Sequence, residues 1–194
     1  MKSKILIGAC LSLASLGCLA ETSVSNFVKV GHTTQEHDVL TGDYTGIELS
    51  GSYKLNDDFF LTGEYISTEE DRDLEFVRKS IGVGMIISAD ENSAWYTEFG
   101  SVNVQFDRDY AASFDQTGFQ LGFGYQIEVA EGWTLNAEVT RVHARKVDDT
   151  FGDFSPTYIT LGGQYQFSES FGAYGEYEHE QDGARAAFGI KFSF

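Results

Sequence analysis

Ten ionisable residues sit on the polar stripes of short alternating runs: Lys29, Glu48, Glu64, Arg78, Glu98, Glu138, Glu176, Glu178, Arg185 and Lys191. Alternation with period two places one stripe on each face of a β-strand, so a closed sheet would gather all ten charges inside. A lone charge in a low-dielectric interior is strongly unfavourable, so these groups must pair or stay wet. Paired, they would form a salt-bridged plug. Wet, they would line a narrow pore, and the excess of carboxylates over bases would favour cations. The plug is the expectation, because a small barrel has an interior that side chains can fill. Strand directions place Lys29, Glu64, Glu138 and Glu176 near mid-height. Arg78, Arg185 and Glu178 fall nearer one mouth, with Glu98 and Lys191 lower.

Catalysis finds less support. The four histidines are His32, His37, His143 and His179, and Asp38 follows His37. His32 and His37 are expected in or beside a loop, and His179 near a strand end. A histidine beside an acid is the least that acid–base chemistry needs, but no nucleophile–base–orienter set can be named. The chain is not expected to be an enzyme. Acidic runs occur at Glu69, Glu70, Asp71, Asp73 and Glu75, at Asp107, Asp109 and Asp115, and at Asp148, Asp149 and Asp153. None has the glycine-spaced pattern of a calcium loop, so a solvated acidic rim is expected, with no metal and no cofactor.

The elements that must carry these residues are strands. Phe119, Leu121, Phe123, Tyr125 and Ile127 alternate with Gln120, Gly122, Gly124, Gln126 and Glu128. Similar stripes run through Ile47 to Tyr53, Phe59 to Tyr65, Val77 to Ile87, Trp133 to Val139, Ile159 to Phe167 and Phe171 to Tyr177. Less regular strands are read from Ser25 to Thr33 and from Ala94 to Phe106. The last stripe is Ala186, Phe188, Ile190, Phe192 and Phe194. Ten antiparallel strands result, or eight if the two weak ones are miscounted. Short turns such as Ala130-Glu131-Gly132 alternate with longer connections at Thr34 to Asp43, Thr68 to Leu74, Asp107 to Gln116 and Lys146 to Thr157. One proline and 21 glycines suit a sheet protein.

The N-terminus reads as an export leader. Lys2 and Lys4 precede an apolar run from Ile5 to Leu16 that is too short to span a bilayer, and cleavage is expected after Ala20. A retained helix and a lipoprotein cut before Cys18 are the alternatives. Both cysteines lie in this leader, leaving the barrel of residues 21–194 without thiol chemistry. Loss of two lysines and no acid takes the net charge from −17 to −19, which disfavours nucleic acid as a partner. No further apolar run is long enough for a membrane helix. A membrane barrel fits, because only alternate residues face lipid.

The terminal stripe ending on Phe192 and Phe194 resembles the C-terminal signature of bacterial outer-membrane barrels, which their assembly machinery reads. The segments Gly124-Tyr125-Gln126-Ile127 and Gly163-Gln164-Tyr165-Gln166-Phe167 resemble strands of the small porin-like OmpA-like and OmpX/Ail-like superfamily. That resemblance implies an all-β, transmembrane, up-and-down antiparallel barrel with both termini periplasmic. It implies a monomer in the Gram-negative outer membrane, acting in envelope structure or in surface interaction and adhesion. A narrow cation-preferring porin is the alternative, and an enzyme acting on lipid A or peptide the more remote one. Aromatics at Tyr110, Phe114, Phe151 and Phe154 could anchor a surface ligand at the loops. Lys79, Arg141 and Arg145, with His143 and Lys146 nearby, continue outward-facing stripes near strand ends. There they could bind phosphates of lipopolysaccharide, since rim charges are tolerated and arginine pairs well with phosphate.

Overall fold

The computed structural model describes residues 26–37, 40–70, 74–108, 114–145, 155–181 and 183–194. Alternating sequences give ten strands: β1 (Phe27–His37), β2 (Leu40–Lys54), β3 (Phe59–Glu70), β4 (Leu74–Ala89), β5 (Ser93–Arg108), β6 (Phe114–Ala130), β7 (Trp133–Arg145), β8 (Thr157–Gln166), β9 (Phe171–Glu180) and β10 (Gly183–Ser193). Each pairs antiparallel with its sequence neighbours, and β1 pairs with β10 to close the barrel. Closure leaves every described strand flanked by two others, with no edge strand. The turn end of the barrel carries short connections. The tightest reverses at Gly132, whose φ of 74° is in the left-handed region that favours glycine.

Register fixes the tilt. From Lys79 the ladder runs through Asn103 and Thr117 to Arg145. In the other direction it runs through Tyr65, Leu49, Val30, Ile190, Ala173 and Tyr165 to Trp133. The walk therefore meets β7 twelve residues apart, at Arg145 and Trp133, which is the shear of the barrel. Ten strands with that shear tilt by about 40° around a backbone radius of about 10 Å. A level line then slips a little over one residue per strand relative to the ladder. Starting at Lys79, it passes beside Ser101, Arg141, Thr157 and His179. Outward residues change from apolar to polar along this line. About 20 Å toward the turn end lie Trp95, Trp133, Phe167 and Phe171, all exposed. The outward surface between the two levels is apolar, with Ile81, Phe99, Leu161 and Phe188 among its most exposed members.

The strands reach past the polar line, and the loop-end connections are shorter than the sequence suggests. β1 continues to His37, β3 to Glu70 and β5 to Arg108, while β6 begins at Phe114. Alternation inverts there, which explains the difference. Ser101, Asn103 and Gln105 face outward, whereas Val102, Val104 and Phe106 face inward. Polar outward residues read as loop when apolar ones are sought. Phe60 and Ile66 on β3 also point inward and are buried, beyond the Thr62 and Glu64 expected there.

Candidate functional site

The lumen is layered along the barrel axis. Six residues from β4, β5, β7 and β8 form an apolar cluster toward the loop end: Phe76, Val102, Val104, Val142, Ala144 and Tyr158. Phe106 packs against it, with its ring 4.7 Å from that of Phe76. Nothing in the sequence reading anticipated this layer, although the inverted alternation at Val102 and Val104 was its signal.

An ion network lies next. Arg78 on β4 donates through Nη1 and Nη2 to both carboxylate oxygens of Glu178 on β9, at 3.0 and 2.8 Å. These strands are five apart in a ring of ten, so this bidentate pair spans the lumen. Arg78 Nε also donates to Glu64 Oε2 at 3.0 Å. The Arg78 guanidinium stacks on the Tyr158 ring at 4.6 Å, tying the network to the apolar layer. Arg185 on β10 donates to Glu178 through Nε at 3.2 Å and pairs with Glu48 on β2. Two carboxylates thus flank each guanidinium, the arrangement that offsets desolvation best.

Nearer mid-height, Lys29 pairs with Glu176. Its ammonium also lies 5.2 Å from the Phe27 ring and 5.0 Å from that of Tyr174. Lys191 donates to Gln164 at 2.9 Å and sits 4.8 Å from the same Phe27 ring. Glu138 accepts from the Tyr96 hydroxyl at 2.9 Å. The ladder from Glu98 meets β7 at Thr140, two residues from Glu138, and the tilt offset between β5 and β7 brings Glu98 to the level of Glu138 rather than below it. Among the described residues, Glu98 and Glu138 are the two lumen acids of the ten without a salt bridge. They face a cavity of about 160 Å³ that Ser50, Thr62, Gln120 and Asn136 also line. Toward the turn end, Phe60 and Tyr96 meet edge to face at 6.0 Å, with Ile86 against them.

The outer surface holds a second group at the polar line. Lys79 Nζ donates to Gln105 Oε1 at 3.2 Å, and Gln105 Nε2 donates to Asp115 at 3.1 Å. Asn103 bridges Asp115 and Thr117 at 2.6 and 3.0 Å. Arg141 donates to Thr157 at 2.6 Å. Arg141 and Lys79 share one level, three strands apart. Arg145 is four residues further along β7, about 10 Å higher, and its side chain lies outside the described residues.

The histidines do not gather. His32 lies within β1, faces outward and meets Phe188 edge-on at 5.6 Å. The run continues as strand because its inward partners, Thr33 and Gln35, are buried. His179 is outward on β9, and the side chain of His37 and all of Asp38 are outside the described residues. His143 Nδ1 lies 2.9 Å from Ser155 Oγ, a contact that sequence spacing did not suggest. It is one link of the three that nucleophilic catalysis requires. Tyr110, Phe151 and Phe154 fall outside the described residues, as do Asp71, Asp73, Asp109, Asp148, Asp149 and Asp153. Phe114 opens β6 opposite Phe106, with its side chain likewise undescribed. Among the described residues no three acids, histidines or cysteines converge as a metal site would require.

Comparison with known proteins agrees with this architecture. Residues 7–167 match the family described as outer membrane protein beta-barrel domain. No curated protein matches the sequence. Among solved structures, the KdgM porin is 11% identical, with 86% of this chain and 99% of that one covered and a TM-score of 0.46. Ail, the attachment invasion locus protein of Yersinia pestis, is 17% identical over 89% of this chain and 100% of that one, with a TM-score of 0.41. The outer membrane phospholipase of Salmonella typhi is 10% identical over 87% and 90%, with a TM-score of 0.45.

Proposed function

Since the chain belongs to the outer membrane protein β-barrel domain family, we propose that it is a closed barrel of the Gram-negative outer membrane that serves envelope structure or surface interaction. In this reading the leader is removed after Ala20. The turn end, with both termini, faces the periplasm. Phe192 and Phe194 are read during assembly, the barrel is monomeric, and the acidic loop end meets a surface ligand. The close-packed apolar cluster of Phe76, Val102, Val104, Val142, Ala144 and Tyr158 toward the loop end supports closure most directly, because it fills the lumen at that level. The test is single-channel recording of the refolded mature chain in planar bilayers. A folded, heat-modifiable barrel should give no steady conductance steps. Reproducible cation-selective steps would replace this reading with that of a narrow porin, which the carboxylates facing the cavity favour.

The polar collar suggests a lipid partner. Lys79 and Arg141 are exposed at one level, just beyond the apolar band. At that depth a cation remains hydrated and can meet a phosphate of lipopolysaccharide at small desolvation cost. We expect K79A/R141A to release several-fold more lipopolysaccharide than the native barrel during detergent washing, while folding normally. Equal co-purification of lipid phosphate from the two proteins would remove the collar as its site.

A further inference from the structure

The central cavity is stopped unequally at its two ends. On the loop side, the wall from β1 round to β7 contributes a close-packed layer. It contains Thr33, Tyr44, Ile66, Phe76, Val104 and Val142, none more than 3% exposed. Apolar side chains outnumber polar ones in this layer, where Thr33, Gln35, Thr68 and Gln116 are buried beside them. On the turn side, Phe60 and Tyr96 cover only the sector of β3 to β5. Across from them, Thr134, Asn136, Gln164 and Gln166 are polar and only half-buried. A narrow apolar constriction blocks ions by shedding water, whereas a polar passage lined with acids attracts cations.

The geometry points to the loop-end apolar layer, rather than the salt bridges, as the barrier to ions. The cavity beneath it is a wet vestibule that reaches toward the turn end and selects cations through Glu98 and Glu138. This inference rests on the closed-barrel reading and assigns the residues that close it. The barrel is then a cation pathway with one stopper. Loss of packing at that level alone should open it, while loss of the cross-lumen pair should not.

The experiment is bilayer recording in potassium chloride on four folded chains. The native protein should be silent. F76A/V104A, which empties the stopper, should give discrete steps with a reversal potential on the cation side. R78M, with the stopper intact, should stay silent. F76A/V104A carrying E98Q/E138Q should conduct with weaker cation preference. If F76A/V104A does not fold, V104T/V142T decides in its place, because it keeps the volume and adds hydroxyls that hold water. A folded stopper variant without steps overturns the inference, as does R78M conducting like F76A/V104A. Steps from the native chain would instead overturn the closed-barrel reading itself.

Discussion

Replacing Arg78 by alanine should lower the unfolding free energy of the barrel by about 3–5 kcal/mol, the range for breaking a buried ion pair from one side. Arg78 is 6% exposed, and its guanidinium bonds to Glu64 and to both oxygens of Glu178. Its removal leaves Glu178 with Arg185 alone and leaves Glu64 with no base among its described contacts. The Tyr158 ring also loses the cation stacked on it. Guanidinium titration of the refolded protein in lipid, followed by tryptophan fluorescence, reads the change as a shift in midpoint. A control separates lost attraction from stranded charge. R78A/E64Q removes one stranded carboxylate together with its base, so it should lose clearly less than R78A. Equal losses would mean that packing of the long side chain, rather than uncompensated charge, carries the effect.

That network was half legible. The alternation around Glu48, Glu64, Arg78, Glu176, Glu178 and Arg185 sufficed to put all six on one stripe, because a period of two needs no partner strand to be seen. Their pairing was not legible. It depends on which residue of β9 faces β4 across the lumen, and that follows from a shear set jointly by ten registers. The strand number was readable from the stripes on β2, β4, β6 and β8, each anchored by outward aliphatic and aromatic residues. Strand length was not, because the rule reverses above the polar line. Asn103 and Gln105 face outward into polar surroundings, while Val104 turns inward. A search for one constant stripe stops at that inversion, and so it missed the apolar layer that closes the loop end.

Gly118 carries the other large effect. It faces inward on β6, between Val102 on β5 and Ala144 on β7. A Cβ added there would lie 2.0 Å from the His143 carbonyl oxygen and 2.5 Å from the Ala144 Cα. Both obstacles are backbone, so no rotamer change relieves them, and β6 and β7 would have to part beside the stopper layer. Gly118→Val should therefore lose about 3 kcal/mol or more, at the upper end of overpacking effects, and fold in poor yield. Gly63 supplies the contrast. It is also a strand glycine, but its nearest neighbour to an added Cβ is the Ser80 carbonyl oxygen at 3.6 Å, an ordinary contact. Gly63→Ala should stay within about 0.5 kcal/mol of the native barrel, as surface changes usually do. Refolding yield and guanidinium midpoint, measured side by side on the two variants, decide the matter. If Gly118→Val folds and melts like Gly63→Ala, the close approach of β6 to β7 is not a constraint. The glycine would then mark only the small side chain that the narrowing lumen admits.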